Sequence, residues 1–369
     1  MSESPYAVPQ VGENISRLIP YKPGKPIADV KRELGLTDVI KLASNENNLG
    51  PSPLAVEAMR EAAAGVHLYP DGSCFELRTA VAEHLGIGGE TLIFGNGSDD
   101  IIRLIGLAFL RPGDEIVQDD PTFSQYEAAA ILNCAITHKV PSLNWTHHLD
   151  AMAERVNEKT RIVFLTNPNN PTGTTVGAAE VEAFLARIPK DTLVVMDEAY
   201  YEYVERPDYP DSVEYVRQGR NVIALRTYSK AYGLAGIRLG YAVARPEIIE
   251  ILEQVREPFN VSVIAQAGGI AALKDVEHLQ STQEMNRAGK CAFYAAFEGL
   301  GLPYAQTEAN FVWVDTGQDS REVSDALMRR GVIVRAGAAF GAPTYIRVTI
   351  GLPAENTRFI QELKEVLAK

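Results

Sequence analysis

Short apolar runs succeed one another between about residues 91 and 244: TLIFG, EIVQ, RIVFLT, TLVVMD, NVIALRT and LGYAVA. Each is short, and most are closed by Gly, Pro, Asn or Ser, so each predicts a strand. Helical spacing fills the ground around them, in LAVEAMREAAAG and CFELRTAVAEHLG before the first run and in SDDIIRLIGLAFL and AAEVEAFLARI between later ones. Strands alternating with helices predict an α/β fold, a mostly parallel sheet with helices on both faces. After about residue 270 the pattern changes. A long helical stretch, VEHLQSTQEMNRAGKCAFYAAFEGLG, leads to two strand candidates, NFVWVD and YIRVTIG, and an amphipathic helix, ENTRFIQELKEVLA, closes the chain. This predicts a smaller α+β domain. The start differs again: Pro and Gly clusters over residues 1–35 (PQVGEN, IPYKPGKP) predict an extended arm and a short helix from Ile27 to Leu34. With Tyr6, Tyr21 and several apolar residues, that arm is expected to pack on something, such as a second subunit. The expected organisation is an arm and short helix over 1–40, a large domain over 41–268 and a small domain over 269–369.

Composition narrows the classes. The chain has 369 residues, 46% hydrophobic and 22% charged, enough for one large domain and a smaller one. A net charge of −13 with no Lys/Arg block argues against a nucleic-acid partner. No apolar stretch approaches the roughly 18 residues of a membrane span. The opening MSESPYAVPQVGEN has neither a basic start nor an apolar core, so no signal peptide is expected. Three unpaired cysteines, Cys74, Cys134 and Cys291, suit reduced thiols and a cytoplasmic location. Cys74, beside Phe75, reads as helix packing. The histidines are scattered; His147 and His148 lie in LNWTHHLD and read as a solvated pair, so no metal site is expected.

In an open parallel sheet, ligands gather beyond the carboxyl ends of the strands. The polar residues that end each run are therefore the chemistry-bearing candidates. GNGSDD follows TLIF; there Ser98 and Asp99 either cap a helix or lend their amides to an anion. Phe123, after EIVQDD, either packs in the core or lies against an aromatic ligand. NPNNPTG fixes a rigid turn that presents Asn170. Asp197 follows four apolar residues, and a carboxylate buried there needs a partner. Tyr200 follows three residues on. Lys230 stands where NVIALRTYSK meets a glycine-rich turn, shielded enough to lose its proton and condense with an aldehyde. Ser229 and Arg238 flank it as phosphate donors. Stacking face, amide, carboxylate, lysine and phosphate donors are together what pyridoxal 5′-phosphate (PLP) needs. No GxGxxG or P-loop motif is present.

These motifs carry a resemblance over nearly the whole chain, from IPYKPGKP through LASNENNLGPSP, YPDG, NPNNPTG, DEAY, TYSKAYGLAGIRLGY and VIVRAG to YIRVTIG. The chain resembles the fold-type I PLP-dependent aminotransferases and, among them, the histidinol-phosphate aminotransferase family. The resemblance implies that Lys230 is the Schiff-base lysine and proton shuttle. Asp197 then pairs the pyridine nitrogen, Asn170 and Tyr200 bond the ring oxygen, and Phe123 stacks on the ring. Ser98, Asp99, Ser229 and Arg238 hold the phosphate, and Tyr69 of YPDG reaches the phosphate of a neighbouring subunit in a homodimer with shared sites. Arg347 binds a substrate carboxylate and Arg335 the phosphate of the donor; Tyr21 and Asn47 also contact substrate. One departure is Phe123, where a tyrosine is common in the family. Another point of variation is AGAAFGAP (336–343), whose small residues lie beside both arginines and tune substrate choice.

The expected reaction is amino transfer between histidinol phosphate and 2-oxoglutarate. Transamination of phenylalanine or tyrosine uses the same residues, as does decarboxylation of a phospho-amino acid. A non-catalytic PLP-binding regulator is the reading from another class, and the retained Lys230, Asp197, Asn170, Tyr200 and Arg238 speak against it.

Overall fold

A computed structural model describes residues 9–20 and 24–368. The predicted runs become the centre of the molecule. A seven-stranded sheet runs in the order Leu92–Gly95, Gly240–Val243, Val222–Thr227, Leu193–Asp197, Thr160–Thr166, Glu115–Asp120, Ile136–Pro141. Gly240–Val243 alone runs against the others; it is antiparallel to both its neighbours.

The strands are buried on both sides, as a parallel sheet under helices requires. Alternate residues serve opposite faces. Ile162, Phe164, Val195, Ile223 and Leu225 join one core with the helices Ser98–Phe109, Gln125–Leu132 and Pro246–Val255. Val163, Leu165, Val194, Met196 and Val222 join the opposite core with the helix Ala178–Arg187. Each such side chain contributes about 1.5–3 kcal/mol by leaving water. On the same strands Leu92, Phe94 and Ala224 pack with the helices Phe75–Leu85 and Val263–Lys274.

The later part of the chain forms an antiparallel sheet, Arg335–Ala336, Tyr345–Thr349, Phe311–Asp315 and Tyr304–Ala305 in that order. Its core takes Phe293, Phe297 and Phe359 from the helices Val276–Leu300 and Pro353–Leu367, and also Leu42 from the early chain. Ile40–Lys41 pairs with Val332–Ile333, and Val30 of the helix Ile27–Leu34 packs with Ile333. The boundary expected at 268/269 falls inside the continuous helix Val263–Lys274.

One strand of the seven-stranded sheet escaped the sequence reading. Ile136–Pro141 lies at the sheet edge with Val140 as its buried residue, so it lacks the apolar run that announces its neighbours. The histidine expectation also needs correction. His147 is buried, with Nε2 2.6 Å from the Thr166 carbonyl and Nδ1 3.2 Å from Asp119 Oδ2. Burial pushes its pKa down, but the charge and hydrogen bond of Asp119 and the hydrogen bond to the Thr166 carbonyl together raise it.

Candidate active site

The carboxyl ends of the parallel strands converge on a cavity of about 200 Å³. Ser98, Asp99, Phe123, Asn170, Asp197, Tyr200, Ser229, Lys230, Arg238 and Arg347 all line it. Five separate strand ends supply all of these side chains but Arg347, which comes from the strand Tyr345–Thr349 of the antiparallel sheet; ligands of open α/β sheets collect at such strand ends.

At the floor, Asp197 is the last residue of its strand and buried. Its Oδ2 accepts a hydrogen bond from the Tyr126 hydroxyl at 2.6 Å and its Oδ1 one from the Ala199 amide at 3.1 Å. Burial raises its pKa to about 6, against those two hydrogen bonds, which lower it. No ion pair is formed by Asp197 among the described residues. A buried carboxylate without a cation is a costly arrangement that a bound cation relieves.

Lys230 is part-buried, its Nζ 3.4 Å from the Ser44 carbonyl and 5.8 Å from the centre of the Tyr200 ring. Burial, with the Arg347 guanidinium adding to it, lowers its pKa to about 8. An amine so tuned is available as a nucleophile near neutral pH.

The opposite end is built for an anion. Gly97 precedes the helix Ser98–Phe109, and no side chain caps its first amides. The capping alternative for Ser98 and Asp99 is thus not realised. Gly97 has φ +85°, and a side chain there would collide with the Arg238 guanidinium. Arg238 lies 3.5 Å from both Ser229 Oγ and Asp99 Oδ2. Its own φ is +56°, a left-handed backbone that a non-glycine residue holds at a cost of roughly 1 kcal/mol. A helix start, an arginine and a serine around one space fit a phosphate.

Across the cavity, Arg347 is buried, bonded to Asn170 Oδ1 and to the Ala43 carbonyl, the latter at 2.8 Å. Arg335 stands directly opposite Arg347 in the antiparallel pairing. Both guanidiniums approach the Phe340 ring, at 5.9 and 5.6 Å from its centre. Arg335 is not itself on the cavity wall.

Other expected residues lie elsewhere. Asn47 is buried, with its amide donating to the Ala231 carbonyl and Thr282 Oγ1 and its oxygen accepting from the Leu49 amide. The cavity wall takes Asn45 in its place, whose amide donates to the Tyr200 hydroxyl at 2.9 Å. Tyr69 is 83% exposed, stacked on Phe259 and away from this chain's cavity. Tyr21 lies outside the described residues. Missed by the sequence reading were Asn45, Thr166 and Tyr126. Asn45 and Asn47 sit in the same SNENN; Tyr126 follows Phe123 by one helical step, with nothing to mark it as other than core.

A PLP-sized cofactor fits this inventory: a tuned amine, a cation-seeking carboxylate at the floor, an aromatic wall at Phe123 and an anion cradle at the far end. Comparison with known proteins gives the same class. The model of the aminotransferase class I and II family matches residues 37–363, and the chain belongs to that family. Within it, the chain is 54% identical over 368 residues to a histidinol-phosphate aminotransferase of Moorella thermoacetica, covering 99% of this chain and 95% of that one. A histidinol-phosphate aminotransferase of Caldicellulosiruptor saccharolyticus is 47% identical, with coverages of 96% and 99%. The crystal structure of histidinol-phosphate aminotransferase from Sinorhizobium meliloti, in complex with pyridoxal-5′-phosphate, superposes with a TM-score of 0.91 at 29% identity, covering 99% of both chains.

Proposed function

We propose that this chain moves the amino group between L-histidinol phosphate and 2-oxoglutarate, a step of histidine biosynthesis, with PLP as cofactor. It is a PLP-dependent aminotransferase. The observation that carries the reading is the meeting of Lys230, Asp197 and the Arg238 anion cradle in one cavity, together with the near full-length identity to histidinol-phosphate aminotransferases.

When bound, PLP supplies an aldehyde for the amino group and an electron-poor ring that takes up charge from the substrate's Cα. The chain's residues do the rest. Asp197 keeps a negative charge facing the ring nitrogen; above pH 6 it is ionised, so it meets a cation at neutral pH. Asn170 and Tyr200 orient the ring oxygen, and Phe123 covers a ring face. Ser98, Asp99, Ser229 and Arg238 fix the phosphate, with Asp99 Oδ2 steadying the arginine. Lys230 Nζ, neutral in a useful fraction near pH 8, takes a proton at Cα and returns it on the cofactor side. Arg347 receives the carboxylate of 2-oxoglutarate or glutamate, and Arg335 with it the donor's phosphate.

The working unit in this proposal is a homodimer in the cytoplasm, its sites shared through Tyr69. Tyr69 and Phe259 are both exposed and stacked on each other, an apolar surface pair that supports such a contact. No helix among the described residues is long and apolar enough to cross a membrane. The division into arm, large domain and small domain belongs to the same proposal. The test is steady-state turnover of L-histidinol phosphate against phenylalanine with 2-oxoglutarate. A kcat/KM at least tenfold higher for histidinol phosphate is expected; parity or preference for phenylalanine overturns the substrate assignment.

A further inference from the structure

Beneath the cavity floor lies a chain of hydroxyls. Tyr126, in the helix Gln125–Leu132, is fully buried, stacked on Phe164 at 4.3 Å with its rings 11° apart. Its hydroxyl is 2.6 Å from Asp197 Oδ2 and 2.8 Å from Thr166 Oγ1. Thr166 Oγ1 is in turn 3.1 Å from Thr122 Oγ1, and the Thr122 hydroxyl donates to Asn169 Oδ1 at 2.9 Å.

Counting protons gives this chain a direction. Thr122 spends its proton on the amide oxygen of Asn169, which can only accept. Thr166 has one proton for two neighbours. When Asp197 is ionised, Tyr126 donates to it, Thr166 donates to Tyr126, and the longer Thr122–Thr166 contact is left without a proton. When Asp197 is protonated the chain can reverse, but the short bond from the Tyr126 hydroxyl to a charged carboxylate, the stronger kind of contact, is then lost. Burial and the facing carboxylate hold the Tyr126 phenol well above its usual pKa, so it stays a donor.

We infer that Tyr126, backed by the Thr166 hydroxyl, is a positioning residue: it donates the hydrogen bond that aims the Asp197 carboxylate and keeps it charged toward a cation in the cavity. Taking that cation to be the protonated ring nitrogen of PLP rests on the function proposed above. The hydrogen bond itself does not. Asp197 faces few other charges: Asp99 from the helix Ser98–Phe109 and its own neighbour Glu198, both of which push its proton affinity up. Tyr126 is the side chain set against that push.

The test uses the full chain, with and without PLP. The Asp197 carboxyl is followed by carbon NMR in the cofactor-free protein, assigned with Asp197→Asn, and PLP affinity is measured at pH 7.5. For Tyr126→Phe the Asp197 midpoint is expected to rise by about one to two pH units, the worth of a hydrogen bond to a charged group. The dissociation constant for PLP should rise at least tenfold. Thr166→Val should shift both in the same direction by less, and Thr166→Ser should restore wild-type values. An unmoved Asp197 midpoint in a folded Tyr126→Phe protein overturns the inference, even if PLP binding weakens, because packing alone would then be at work. Should Tyr126→Phe fail to fold, the contrast between Thr166→Val and Thr166→Ser decides: equal midpoints overturn it. If wild type binds PLP but transaminates nothing, the function proposal fails while the Asp197 midpoint still judges Tyr126.

Discussion

Asp197 is buried at a strand end without a cationic partner among the described residues. Its pKa lies near 6 in the folded protein against 3.8 for an ordinary aspartate, with burial as the main cause. A carboxyl with a raised pKa contributes stability below its unfolded value and loses that contribution as pH rises through the folded one. The two-unit difference corresponds to about 3 kcal/mol against the cofactor-free fold above pH 6. Asp197→Asn should therefore melt higher than wild type at pH 8 in the absence of PLP, with the two curves converging near pH 4. Adding PLP should reverse the order, because only the carboxylate gains a cation. Calorimetric melts across pH, with and without PLP, check this; an apo variant no more stable than wild type at pH 8 would count against the assigned burden. Asp197 and Lys230 were legible in the sequence because polar groups that end apolar runs are conspicuous. Asn45 was not. It shares SNENN with Asn47, and only the folded backbone, left-handed at Asn45 with φ +55°, turns the first toward the cavity and the second into the structure. Tyr126 was invisible for another reason: a buried tyrosine on a helix reads as core until its hydroxyl partner is known.

Strands were read well where both faces are buried, since an apolar run then survives in the sequence. Ile136–Pro141, exposed along one edge, left no such run. Direction was not legible either. LGYAVA looks like its parallel neighbours, yet Gly240–Val243 runs antiparallel. The small sheet carries the chemical consequence of register. Pairing Arg335–Ala336 with Tyr345–Thr349 sets Arg335 opposite Arg347, so two positive charges twelve residues apart in sequence become cross-strand neighbours. Like charges so placed favour an anion with more than one negative oxygen. Arg335→Ala should raise KM for histidinol phosphate far more than for phenylalanine, by tenfold or more, the usual scale for a lost charged contact. Arg347→Ala should harm every carboxylate substrate, since it is buried and tied to Asn170 on the cavity wall. Equal KM effects of Arg335→Ala on the two donors would remove the phosphate role from this strand pair.

At the scale of the molecule, the early chain is sewn into the late chain. Leu42 enters the core of the small sheet, Ile40–Lys41 pairs with Val332–Ile333, and the helix Val276–Leu300 runs between the two cores, Leu279 packing on one and Phe297 on the other. The Lys230 cavity is lined mainly from the ends of the seven-stranded sheet, and Arg347 reaches it from the antiparallel one. What a single chain leaves unused is the surface around Tyr69. That ring stacks on Phe259 at 4.8 Å, and both are exposed. An exposed aromatic pair offers a surface that a second protein surface can cover. If that surface is a second copy and Tyr69 completes its neighbour's site, defects in Lys230 and Tyr69 belong to different sites of a mixed dimer. Lys230→Ala and Tyr69→Ala should each be nearly inactive alone. Refolded together, the hybrid dimer contains one site with neither defect and one with both, so random mixing of a two-fold dimer should recover about a quarter of wild-type activity per chain. Activity is read after refolding, with hybrid formation verified by differently tagged chains. Hybrids that form yet stay inactive would assign Tyr69 to its own subunit and leave the exposed ring without a catalytic partner.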